Sequence, residues 1–128
     1  MHIYINNKIS MPDYQETIKE SYPVELIKKN GYCFLVYQNE ENEKVILKFN
    51  NEELTMTRYT NPKTIMQFHK NEVKEMMIPT PLGRQVFLTK TDFFEFSKDT
   101  QSLSLHYQLK QAANGNLMAN YQMKVEWH

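Results

Sequence analysis

Residues Ser102 to Trp127 read "SLSLHYQLKQAANGNLMANYQMKVEW". Neighbouring residues of a strand point to opposite faces, so a period of two is the test for β structure. Leu103, Leu105, Tyr107 and Leu109 share one face, against Ser104, His106, Gln108 and Lys110. After the turn, Leu117, Ala119, Tyr121, Met123, Val125 and Trp127 share a face, against Asn120, Gln122, Lys124 and Glu126, and Met118 is the one apolar exception. Between them sits Asn114-Gly115, a pair that tolerates the positive φ angles of a tight turn. The segment therefore predicts a long antiparallel hairpin.

The same pattern runs back through the chain. Val45, Leu47 and Phe49 share a face in "KVILKFN", and Leu54, Met56 and Arg58 share one in "ELTMTRYT", with Asn50-Asn51 turning between. Asn61-Pro62 marks another turn, because proline fixes its own φ and pushes the preceding residue out of the helical region. "KTIMQFHK" sets Met66 and Phe68 on one face, with Ile65, Gln67 and His69 on the other, and Asn71-Glu72 turns into "VKEMMIP". Asn30-Gly31 joins "VELIKK" to "YCFLVYQNE", whose unbroken apolar run predicts a strand covered on both faces. "HIYINNKI" reads as a strand with Ile3, Ile5 and Ile9 inward. "PDYQETIKESY" fits strand or helix, and Thr17, Ile18 and Pro23 tilt it to strand.

The stretch "PTPLGRQVFLTKTDFFEF", Pro79 to Phe96, conflicts with itself. If Val86, Leu88, Phe94 and Phe96 face the core, Lys90 and Asp92 share their parity. A bulge between Lys90 and Asp92 resolves this, since one extra residue shifts the alternation by one. In all, about ten short segments joined mostly by tight turns predict an all-β fold. They favour an antiparallel up-and-down meander closed into a barrel of about 8–10 strands, with a sandwich as the alternative.

The 128 residues suit a single domain, residues 1–128, and 41% apolar residues with 12% aromatics suit a globular chain. Fifteen basic residues balance fifteen acidic ones. Phosphate binding needs clustered Lys and Arg, so no nucleic-acid partner is expected. No membrane is expected either, because no run approaches the ~18 apolar residues of a spanning helix. "MHIYINNKIS" lacks the basic start and apolar core of a signal peptide, so a cytoplasmic protein is expected.

The order of segments resembles the YwiB-like family of small, uncharacterised bacterial proteins. The resemblance runs from about Ile18 to Trp127 and rests on "YCFLVYQNE", "KVILKFNNEELTMTRYTNPKTIMQF", "TPLGRQVFLTKT" and "SLSLHYQL". The family pattern has an aromatic-rich strand ending in an acidic turn, here Tyr37 to Glu41. Next come a Met-x-Arg strand, here Met56 to Arg58, and a Met-x-Phe strand, here Met66 to Phe68. A Gly-led strand follows, here Gly83 to Thr91, then a Tyr-containing strand at Tyr107 and a long final strand. Asn61-Pro62 departs from the pattern, where family members tend to carry a glycine. The resemblance implies a calycin-like (lipocalin-type) β-barrel, a fold that often encloses a small cavity. It implies no function.

No constellation for catalysis is visible. His2, His69, His106 and His128 are scattered without metal-ligand spacing, and no G-x-S-x-G or glycine-rich phosphate loop is present. Glu40-Glu41 and Glu52-Glu53 sit in turns, where solvated charge is the default. Cys33, the one cysteine, reads as a buried small hydrophobe. No enzyme, metal or cofactor is expected. Arg58 shares parity with Leu54 and Met56, which places it at the barrel mouth either as an anion-binding group or as a rim arginine with its stem on the core. Several of the eight methionines lie on strands, where they fill a core or line a cavity.

The expected function is non-enzymatic binding of a small, partly apolar ligand inside the barrel, with Arg58, Gln67, Thr91 and Tyr107 as its polar contacts. A cavity of roughly 300 Å³ or more would favour that reading. The alternative is a solid-core interaction or structural module that acts through its outer surface, with a homodimer or another protein as partner.

Overall fold

The computed structural model describes residues 1–128 and contains strands without a helix. Eleven strands follow one another: β1 (His2–Met11), β2 (Tyr14–Pro23), β3 (Glu25–Lys29), β4 (Tyr32–Gln38), β5 (Lys44–Phe49), β6 (Glu53–Arg58), β7 (Thr64–His69), β8 (Val73–Thr80), β9 (Gly83–Ser97), β10 (Ser102–Gln111) and β11 (Leu117–Trp127). The ambiguous "PDYQETIKESY" is strand, and its Tyr14, Ile18 and Tyr22 share a face by the period of two.

All ladders are antiparallel and fall into two sheets. One has six strands in the order β2-β1-β11-β10-β9-β8, and the other has five in the order β3-β4-β5-β6-β7. Within each sheet the chain is a meander, except that β1 returns to pair with β11. The chain crosses between sheets at β2–β3, through Val24 alone, and at β7–β8, through Lys70 to Glu72. No ladder closes the sheets into a ring, so the expected barrel is two facing sheets with four edges.

One core fills the space between the sheets. Ile3, Ile5, Leu103, Leu105, Val125 and Trp127 come from the six-stranded sheet, and Leu35, Val45, Leu47, Phe49, Leu54 and Phe68 from the five-stranded one. Their contiguous burial is the main stabilising term, at roughly 1.5–3 kcal/mol for each large apolar side chain. The outer face of β4 is only half-buried, so this strand is not covered on both sides as its apolar run suggested. Lys48 supplies the partial cover, with its ammonium 4.3 Å from the Tyr32 ring centre.

The bulge in β9 falls within the expected span. His106 pairs with Phe93 and Tyr107 with Thr91, which leaves Asp92 as the extra residue. The consequence differs from the expectation at Val86 and Leu88. Phe94 is buried on one side of the bulge, while Phe87, Thr89 and Thr91 are buried on the other, and Val86 is exposed. The shift therefore turns the threonines inward.

Candidate functional site

Thr91 and Tyr107 are ladder partners on the inner face of the six-stranded sheet. Tyr107 stacks on Tyr121, with centroids 4.6 Å apart and planes 7° apart, and tilts against Phe68 at 4.5 Å. Burial pushes the Tyr107 phenol well above its usual value, and Tyr121 beside it acts the same way, while the Asn7 amide at the hydroxyl opposes them. Asn7 Oδ1 and Thr91 Oγ1 are both buried without a protein hydrogen-bond partner. Thr89 is different: its hydroxyl donates to the Gln67 carbonyl at 2.7 Å.

Further along the interior, Tyr22 stacks on Tyr37 at 5.3 Å, and the Tyr22 hydroxyl donates to Glu20 at 2.5 Å. Burial raises the Tyr37 phenol strongly. Glu20 and Tyr22 raise it further, and Arg58 pulls it down. Arg58 itself is exposed at the end of β6, as a rim arginine would be.

The four expected contact residues therefore do not converge. Thr91 and Tyr107 are adjacent, but they are only 1% and 6% exposed. Arg58 lies at the rim beside Tyr37. The Gln67 side chain alternates away from Met66 and Phe68 and is exposed, so only its backbone carbonyl reaches the interior.

Open space lies elsewhere. A pocket of about 410 Å³ sits at the end of the fold where the β3–β4 hairpin, the β5–β6 turn, the β9–β10 turn and the end of β11 meet. Phe49, Phe96 and Trp127 close its bottom. The Phe49 and Phe96 rings meet edge to face at 5.1 Å and 88°, and Trp127 lies 5.3 Å from Phe49 and 6.0 Å from Phe96. Leu26 and Cys33 form part of the wall. Lys28, Lys29 and Lys98 line the pocket as well, and none of them is in a salt bridge.

Local sequence explains this placement. Asn30 and Gly31 have φ of 55° and 81°, the twist that a two-residue hairpin requires. That turn sets Lys28 opposite Cys33 in the ladder, on the inner face with Leu26. Lys98 follows Phe96 by two residues, where β9 gives way to its turn. Sequence reasoning singled out none of the three lysines. The one available signal was the parity of Lys28 with Leu26 in "VELIKK".

No group of three or more His, Cys, Asp or Glu side chains is arranged to hold a metal. The pocket offers apolar contact, with the half-buried Phe96 as its accessible ring, and charge pairing to ammonium groups.

A family model described as a domain of unknown function, DUF1934, matches residues 3–125. Among solved structures, the chain is similar to that titled "Crystal structure of ywiB protein from Bacillus subtilis", with a TM-score of 0.74 over 99% of this chain and 90% of that one. Identity is 17%, so this likeness concerns the fold. The two findings agree with the resemblance to the YwiB-like family carried by the sequence. No curated protein matches the chain.

Proposed function

This chain belongs to the DUF1934 family, and from that premise we propose that it is a non-enzymatic binding module for a small, partly apolar ligand, with its site in the pocket ringed by Lys28, Lys29 and Lys98. The observation that carries this reading is the pocket itself. Its volume of about 410 Å³ falls in the range that small-molecule sites occupy. Two of its three aromatic residues, Phe49 and Trp127, belong to the main core and Phe96 packs against it, so the site is supported by packed side chains. In this reading the two sheets act as a flattened calycin-like barrel that is filled in the middle, with the site at the end lined by the β3–β4 and β5–β6 turns. The interior threonine and tyrosines then tie the sheets together without touching the ligand.

Native mass spectrometry on protein purified gently from its own host tests the reading. A reproducible extra mass, lost on denaturation, is the expected result. A clean apo mass at every protein concentration would count against it.

A second reading rests on the β8–β9 hairpin. Leu82 is 93% exposed at its tip, and the ladder partners Met77 and Val86 are exposed behind it. An outer-surface module would use this face. Concentration-dependent dimers that Leu82→Asp abolishes would favour that alternative.

A further inference from the structure

The charge of the end pocket is one-sided. Its lining contains three ammonium groups and no carboxylate. This does not follow from a basic chain, since fifteen Lys and Arg balance fifteen Asp and Glu overall. The closest acidic candidates are otherwise placed. Glu53 accepts the Tyr32 hydroxyl at 2.6 Å, and Asp99 lies in the β9–β10 turn outside the lining. Ammonium groups lining one pocket without a carboxylate give it a positive field that attracts an anion. The bottom of the site has its own preference. Phe49, Phe96 and Trp127 form a contiguous aromatic layer in which Phe49 and Trp127 are buried, and the half-buried Phe96 is the ring that offers a flat π system a surface.

Resting on the pocket reading above, we propose that the ligand is a small planar aromatic anion. Its ring lies against Phe96 and Cys33, above Phe49 and Trp127, and its carboxylate or phosphate pairs with Lys28 and Lys98. Lys28 pairs with Cys33 in the ladder and lines the pocket, which puts it within the same site as the ring-facing residues. Lys29, next in the chain, adds positive field there. The concave shape suits a small molecule better than a nucleic-acid strand, which needs an extended basic groove.

Matched probes test this by calorimetry on the full chain. 2-Naphthoate and 2-naphthyl phosphate carry the anion, 2-naphthamide keeps the ring without it, and inorganic phosphate keeps the anion without the ring. One or both anionic naphthalenes should bind roughly tenfold or more tighter than the amide, as expected of hydrogen bonds to a charged group. Which of the two is tighter identifies the acid group. Added salt should erode that advantage. The double variant Lys28→Gln, Lys98→Gln should bring the anions down to the amide without weakening the amide itself. Both lysines are exposed, and circular dichroism verifies that the variant folds. Equal, salt-independent binding of all three naphthalenes would overturn the anion inference and leave the pocket reading standing. Inorganic phosphate binding as tightly as naphthyl phosphate would overturn the aromatic part. No binding by any probe would overturn both the inference and the pocket reading beneath it.

Discussion

The Thr89 hydroxyl on β9 donates to the backbone carbonyl of Gln67 on β7 at 2.7 Å, so that one sheet hydrogen-bonds to the other through the core. Two residues on, Thr91 is buried as deeply on the same face, yet its hydroxyl has no protein partner. Two threonines of equal burial therefore differ in that one hydroxyl is satisfied and the other is not.

Thr89→Val leaves the Gln67 carbonyl without this donor and should destabilise by about 1–3 kcal/mol, the cost of an unsatisfied buried acceptor. Thr91→Val removes an unsatisfied group of its own and should be neutral or stabilising by about 1 kcal/mol. Urea midpoints of the two variants measure this difference. Equal losses at both positions would contradict it.

Asp92 is the residue that β9 carries in excess of β10. Deleting it leaves Thr91 inward, Phe93 outward and Phe94 inward in one regular alternation. The deletion should fold and cost about 1 kcal/mol or less, as surface changes do. Deleting Glu95 instead puts Phe94 and Phe96 on opposite faces and should cost about 3 kcal/mol, the scale of losing a core phenylalanine. Thermal melts of the two deletions give the comparison, and similar losses would contradict the bulge assignment.

The legibility of the sequence follows this division between local and non-local information. Alternation in "SLSLHYQLKQ" and "NLMANYQMKVEW", with Asn-Gly between, suffices for β10, β11 and their pairing, because both signals lie within one hairpin. The bulge could be located from parity alone, but the side that would turn was misread. Val86 and Leu88 are as apolar as Phe87, and only packing against the opposite sheet selects Phe87. The division into two sheets was not legible. A turn such as Asn71-Glu72 looks alike whether it continues a ladder or crosses to another sheet. Thr91 and Tyr107 were recognised as inward residues, but their near-complete burial depends on Phe68 and Tyr121. The pocket draws on four regions far apart in the chain, so no window of sequence contains it.

Alkaline pH should destabilise the fold through its tyrosines. Burial, with Glu20 beside it, pushes the Tyr22 phenol from its usual 10.0 up to about 12. Burial raises Tyr37, Tyr107 and Tyr121 as well. Below the ordinary value both folded and unfolded chains keep these protons, and the stability is fully present. As pH climbs above it, the unfolded chain ionises first and is favoured, so stability falls up to the folded value. Denaturant midpoints should be level below pH 10 and decline between 10 and about 12 for the Tyr22 contribution, with tyrosinate absorbance rising as the chain unfolds. A midpoint that stays constant across that window would contradict the burial of these phenols.

Gly31 holds φ of 81° in the hairpin that shapes the pocket lip, with nothing within 4 Å of an added Cβ. Gly31→Ala therefore meets no clash, and its cost is conformational, about 1 kcal/mol. The same substitution should weaken binding of an anionic naphthalene by loosening the placement of Lys28. Unchanged stability and unchanged affinity together would show that the turn does not set the lip.

The most direct test of the pocket is an amide chemical-shift map recorded while 2-naphthoate is added to the full chain. The chain has one tryptophan, Trp127, so its indole N–H gives a single reporter signal at the bottom of the site. The pocket reading predicts shifts confined to Leu26 to Cys33, Phe49 to Asn51, Phe96 to Gln101 and Trp127. Shifts centred on Thr91, Tyr107 and Tyr121, or on the outer face of β8 and β9 with Trp127 unmoved, would contradict it.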